Sequence, residues 1–462
     1  MLKSLPKQVK MGSMYFVGNI FDKAVAFITI PIFTRLLSTT DYGIVSTYVS
    51  WVGILAIITG LSLGNSVRTA VVDYRNNIYD YISSVTFLGL ICGIIFLALS
   101  LFLGNYITFG VERNLLTLCV LQAMMMNIGT TFSMKLMMDE SYVKRTLLTS
   151  LPNLVTAILS ILFIISMDSD KYMGRIYAYV LVTTIVGVSL LYYIFSHGRR
   201  LYDADFWKYG LSFSIPIIFH SLSVIILAQS DRIMITSIIN PSETGIYSLI
   251  YNFSLSILAV SITVENVWIP WFTRKMENQD RATVNLMSGP YVEMVSLVSV
   301  VVMFIAPEVL SLLAPPSYAS GFVMVQPIVL ATVVMFFTSL FIDLEYYKKK
   351  TKHIAKNTMV AAAVNIILNL LFIPKYGAIA AAYTTLAAYF VSFIMHYIYS
   401  HRIEPKLFSI SIFIKPSLWL IIGGGLSVLL IPNIAIRYLI ALCVASYGLY
   451  HFRQFYKAVK QS

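Results

Sequence analysis

Apolar runs of about twenty residues follow one another along the whole chain. They constrain it more than any other feature, because such a run at ~1.5 Å per residue covers a hydrocarbon layer of roughly 30 Å. The stretch FLGLICGIIFLALSLFLG (87–104) shows the type, apolar on every face and lacking the alternation of a membrane barrel strand. Of 462 residues, 58% are apolar and 12% charged. With a mean hydropathy of +0.79, the chain reads as an all-α integral membrane protein; a soluble domain carries about a quarter charged residues.

Polar and turn clusters divide the chain into fourteen spans near 11–37, 43–68, 82–104, 114–138, 142–166, 174–197, 208–239, 244–272, 287–313, 321–345, 355–373, 377–400, 412–431 and 434–452. The opening MLKSLPKQVKMGS leads into the first span without a small-residue cleavage site, so it reads as a cytoplasmic tail. With the N-terminus inside, 25 of the 33 Lys and Arg residues fall in inner loops and tails and 6 in outer loops, while Lys23 and Arg232 lie in the membrane. By the positive-inside rule both termini are then cytoplasmic. The formal charge of +12 is spread over many short loops and makes no nucleic-acid patch. No break between spans is long enough for a soluble catalytic domain, and no G-x-x-x-x-G-K-[ST] phosphate loop is present. Cys92, Cys119 and Cys443 lack metal or redox spacing and read as small buried residues.

The stretch RLLSTTDYGIVS (35–46) ends the first helix and opens the second, and SIINPSETGIYS (237–248) does the same for the seventh and eighth. At a constant offset of 202, Gly43 meets Gly245, Ile44 meets Ile246, Ser46 meets Ser248, and Asp41 meets Glu243. Six spans separate the copies, so the repeat is parallel, which suits two lobes related by an axis along the membrane normal. The expected divisions are an N-lobe at 1–200, a C-lobe at 201–402 and a C-terminal helix pair with its tail at 403–462.

At IPIFTRLLSTTDYG (30–43), SDRIMI (230–235) with ETGIYSL (243–249), and PKYGAIAAAYTT (374–385), the chain resembles the Wzx-type polysaccharide transporters, of the superfamily that holds multidrug extrusion antiporters and lipid II flippases. The resemblance implies two six-helix lobes plus two C-terminal helices that help house a lipid tail. It further implies movement of undecaprenyl-diphosphate-linked oligosaccharide from the inner to the outer leaflet, for capsule or O-antigen synthesis. The implied partners are that glycan lipid, membrane lipids and a polysaccharide polymerase or ligase, with no nucleic acid and no enzymatic cofactor; H+ or Na+ is the coupling ion to consider.

Charges inside spans are expensive, at least about 2.5–3.5 kcal/mol each at helix centre, and are site hypotheses by default. Tyr15, Asn19, Asp22, Lys23 and Ala26 form one polar stripe on the first helix. It is either a clamp between helices or a cavity wall receiving an anionic headgroup, with Lys23 as the cation. Asp231 and Arg232 repeat the pattern in the seventh helix, Arg232 as a phosphate fork, a partner for Asp22, or a residue snorkelling outward. Asn65 belongs to a polar stripe on the second helix; Arg68 at its inner rim and Arg35 at the outer end of the first helix are substrate cations or ordinary topogenic residues. Asn252 and Glu265 on the eighth span and Glu293 on the ninth suit sugar hydroxyls, a coupling cation or helix packing. The rival readings are a multidrug/cation antiporter, a lipid II flippase, and a membrane-embedded polymerase or glycosyltransferase; the last would want a large outer loop or acidic metal motif that this chain lacks.

Overall fold

A computed structural model describes residues 7–103, 113–405 and 407–461, with side chains at 14, 17–102, 114–405 and 407–453. The first six residues and the side chain of Tyr15 lie outside this set. The described residues hold no strand. Fifteen α-helices follow in order: α1 Lys7–Leu36, α2 Thr39–Thr59, α3 Val67–Asp73, α4 Ile78–Leu103, α5 Arg113–Met138, α6 Tyr142–Ser166, α7 Lys171–His197, α8 Ala204–Ile238, α9 Pro241–Glu277, α10 Arg281–Leu313, α11 Val325–Tyr347, α12 Thr351–Tyr376, α13 Ala378–Ile403, α14 Ser411–Leu429 and α15 Ile434–Gln461. Among the described residues, fourteen helical segments are long and apolar enough to cross a membrane, the number read from the sequence.

One span is shorter than its apolar pattern suggested. The expected second span, 43–68, gives way after Thr59 to a 3-10 turn at Leu63–Ser66 and the short α3. Leu61 and Ser62 adopt left-handed φ values of 49° and 50°, a conformation that side chains with a Cβ rarely take and that ends a right-handed helix. Neighbouring helices hold the break. Asn127 of α5 donates from Nδ2 to Thr59 Oγ1 at 3.0 Å, Ser214 of α8 donates to the Ser62 carbonyl at 3.3 Å, and the Ser66 and Tyr81 hydroxyls bond at 2.6 Å. Asn65 therefore stands in this break and not on a helical stripe.

The chain packs into two units, Met1–Gly245 and Ile246–Ser462. In the first, α2, α5 and α7 enclose Tyr48, Val52, Cys119, Ala123 and Ile176, while α1 rests on α6 and α6 on α7. The helix α8, which the repeat assigns to the second lobe, packs on α2 along its length and on α4 at its start. There Tyr74, Tyr81, Phe206 and Tyr209 form an aromatic cluster with centroids 4.9 to 5.7 Å apart. In the second unit α13 packs on α11 and α12, and the α14–α15 pair lies against α10. Trp268, Tyr291 and Phe336 stack at its centre, at 4.2 and 5.0 Å. Cys119 is buried as expected, whereas Cys92 is only half-buried and Cys443 is exposed on α15.

The repeated segments meet through residues of the first unit. A Cβ on Gly43 would lie 1.7 Å from the Pro241 carbonyl oxygen, and one on Gly245 would lie 2.0 Å from the Thr39 carbonyl oxygen. Thr39 and Pro241 are themselves 202 apart, so the contact is reciprocal. Thr39 and Ser242 bond beside it at 2.7 Å. Backbones approach this closely only where neither carries a side chain.

Candidate functional site

On α1, Gly18 and Asp22 lie one turn apart and both face α6. A Cβ on Gly18 would stand 2.6 Å from Thr146 Cγ2, so the helices touch there. Asp22 accepts from Ser150 Oγ at 3.0 Å and from Asn153 Nδ2 at 3.2 Å. Thr146, Ser150 and Asn153 fall at i, i+4, i+7, a polar ridge that receives one carboxylate. The expected stripe divides at this point. Asp22 clamps two helices, while Lys23, about 100° further round, is exposed, as is Asn19. Lys23 makes no hydrogen bond or ion pair to any described residue.

On α8, Asp231 and Arg232 are 1% and 6% exposed. Arg232 donates from Nη1 to Gln229 Oε1 at 2.6 Å and to the Ala228 carbonyl at 3.2 Å. Gln229 Oε1 also accepts from Ser50 of α2 at 3.1 Å. The guanidinium is thus enclosed in packed helix and does not snorkel outward. Asp22 finds its partners on α6, not in Arg232. Arg35 is exposed at the end of α1 and donates to the Pro31 carbonyl at 3.0 Å, where it complements the helix dipole. Arg68 is exposed on α3, its Nε 3.3 Å from Met134 Sδ.

In the second unit, Asn252 and Glu265 are half-buried on α9. Glu293 is buried on α10 and turned toward the C-terminal pair: Lys415 Nζ lies 2.7 Å from its Oε1, Trp419 Nε1 donates at 3.2 Å and the Tyr447 hydroxyl at 3.4 Å. A second clamp joins the same helices. Arg437, placed in an outer loop by the charge count, is 1% exposed inside α15; it ion-pairs with Glu308 and donates to the Phe304 carbonyl at 2.7 Å. Glu293 in this setting fastens the hairpin.

Two polar clusters escaped the sequence reading. Asn365 and Asn369 on α12 bond each other at 3.2 Å and reach Thr385 and Thr384 on α13, all four buried. The i, i+4 spacing in NIILN (365–369) was the available signal. Glu345 on α11 and His396 on α13 form a buried pair, Nδ1 to Oε1 at 2.7 Å. They are 51 residues apart, and no local pattern links them. Among the described residues no group of three or more His, Cys, Asp or Glu side chains is arranged to hold a metal ion.

Helical spans throughout, charges buried between them and an exposed lysine within the first span define a multi-pass membrane protein whose polar groups serve its interior. Residues 9–276, more than half of the chain, match the family model described as polysaccharide biosynthesis protein, and the chain belongs to that family. A Haemophilus influenzae chain described as an uncharacterized membrane protein is 23% identical over 314 residues, 64% of this chain and 73% of the relative. Among solved structures, the lipid II flippase MurJ in an inward closed conformation superposes with a TM-score of 0.69 at 15% identity, covering 97% of this chain and 99% of that one. An inward-facing multidrug resistance MATE transporter of the MOP superfamily gives 0.61 at 14% identity, covering 83% and 95%. At such identities the likeness is one of fold.

Proposed function

We propose that the chain is a flippase of the MOP superfamily that moves a lipid-linked oligosaccharide across the membrane during surface polysaccharide synthesis. The family supplies the biosynthetic context and the fold supplies a transporter scaffold. The observation that carries the reading is Lys23. At ~1.5 Å per residue it stands about 20 Å along α1 from Leu36, where the first span ends. A cation at that depth, exposed and unbonded to its own helix neighbours, is tolerated where water or an anion meets it. A diphosphate headgroup is such an anion, and carrying it bare through hydrocarbon would cost far more than helix packing returns. Cationic cargo, the drug-antiporter reading, would meet like charge at this position.

On this reading the carrier is an undecaprenyl diphosphate, the membrane is the bacterial cytoplasmic membrane, and both termini face the cytoplasm. Arg35 and Arg68, exposed near opposite ends of α1 and α2, are suited to the exit and entry sides. The neighbouring machinery is a polymerase or ligase that consumes the flipped unit. Replacing Lys23 tests it: Lys23→Gln should leave membrane expression unchanged and reduce glycan export at least tenfold, with Lys23→Arg retaining much of it. Lys23→Cys should react with a membrane-impermeant thiol reagent. A Lys23→Gln protein that exports normally removes the lysine from the site, and a cysteine sealed from the reagent in every condition removes the wet cavity.

A further inference from the structure

The Glu345–His396 pair lies where α11, α12 and α13 end on the side that the positive-inside rule assigns to the cytoplasm. Glu345 is 0% and His396 1% exposed. Two further groups on α12 face the same place. His353, at the start of that helix, stacks on Tyr399, one turn beyond His396, and lies within electrostatic range of both Glu345 and His396. Asn357, one turn along the same face, is 1% exposed. Three buried polar atoms in this cluster have no hydrogen-bond partner among the described protein atoms: Glu345 Oε2, His353 Nδ1 and Asn357 Nδ2. Folded proteins leave few such atoms, and each one calls for an explanation.

We propose that Glu345, His396 and His353 form a proton-binding site that loads from the cytoplasmic side. In the loaded state one proton lies between Glu345 Oε1 and His396 Nδ1, and the buried pair is neutral overall. Release of that proton leaves neutral imidazole beside a carboxylate, one negative charge in a buried place, which is costly unless donors are at hand. The unbonded donors supply them: the Asn357 amide and the His353 ring can turn to Glu345 Oε2 when the His396 proton leaves. The cluster thus has hydrogen-bond capacity for two charge states and uses only part of it in either. Lys356 on α12 and Arg402 on α13 act electrostatically on His353; both are exposed, and both favour the unloaded, negative state. His353 adjoins the Lys348–Lys350 turn between α11 and α12 and offers the path to solvent. Three helix ends share the cluster, so proton occupancy alters how they hold together.

The inference does not depend on the cargo, and its test separates the two. Infrared difference spectra of the full chain in lipid nanodiscs, taken between mildly acid and mildly alkaline pH, should contain a paired imidazole and carboxylate change that vanishes in Glu345→Gln and in His396→Gln. Spectra unaltered by either substitution overturn the proposal. Should a single variant fail to fold, the double variant Glu345→Leu/His396→Leu removes both polar groups, and an apolar pair of similar size generally restores or raises stability. That variant should fold, lose the infrared change, and export without dependence on cytoplasmic pH. If it keeps the infrared change, the pair is a structural brace and no proton site. The infrared change in a wild-type chain that exports no glycan supports the site and removes the cargo assignment instead.

Discussion

Asp22 and Lys23 are adjacent in the chain, yet the helical turn between them sends one into a helix contact and the other into the open. Their substitutions should therefore separate. Asp22→Ala leaves Ser150 and Asn153 without their acceptor and should cost about 1–3 kcal/mol, read as a lowered thermal transition of the detergent-solubilised protein. Lys23→Gln should leave that transition in place and act on export alone. A shared loss of stability would show that both residues brace the helix. The sequence made the charges conspicuous, because nothing else in GNIFDKAVAFITIPIF resembles them. Their directions were not legible, since the rotation of a helix about its axis is set by its partner, here the Thr146–Ser150–Asn153 ridge. For the same reason Arg232 looked accessible; its enclosure depends on Gln229 and on Ser50, a residue 179 positions from Gln229.

At the level of elements, the C-terminal hairpin is fastened to α10 by two ionic clamps, Glu293 with Lys415 and Glu308 with Arg437. Arg437 is buried but Glu308 is partly exposed, so Arg437→Met should cost about 1–3 kcal/mol and expose the 430–433 turn to limited proteolysis. Glu308→Leu/Arg437→Leu should recover most of that loss. A third ionic cluster lies just beyond the spans: Arg281 makes a fork to Glu404, at 2.9 and 3.2 Å. The Arg281 guanidinium, with Lys348 beside it, holds the Glu404 carboxyl below the ordinary carboxylate range. Because the folded value is depressed, the stabilisation is complete above the ordinary range and disappears as pH falls through the lowered value. Thermal scans against pH should show this acid-side loss, and Glu404→Gln should remove it. The interruption after α2 was hidden because its left-handed residues are Leu61 and Ser62, not glycines; Asn127 and Ser214, which support it, come from distant helices.

For the molecule as a whole, the spans were legible because each carries its own evidence, a run of apolar residues that needs no knowledge of neighbours. Fourteen crossings, an even number, would place both termini on one side. Epitope tags at the two ends should be equally protected from external protease in intact cells, and protection of only one would revise the count. The packing units were harder to read: the repeat is written in local residues, whereas the allegiance of α8 follows from Leu63, Tyr81 and Val85, whose side chains would lie 3.2 to 3.3 Å from a Cβ on Gly210. The reciprocal approach of Gly43 and Gly245 carries a further consequence. Each occupies the room that the other's strand of the duplication leaves vacant, so a methyl group gained by one copy is a collision suffered by the other. Divergence between the two copies is closed off at this crossing: neither glycine can gain a side chain while the facing backbone stays where it is.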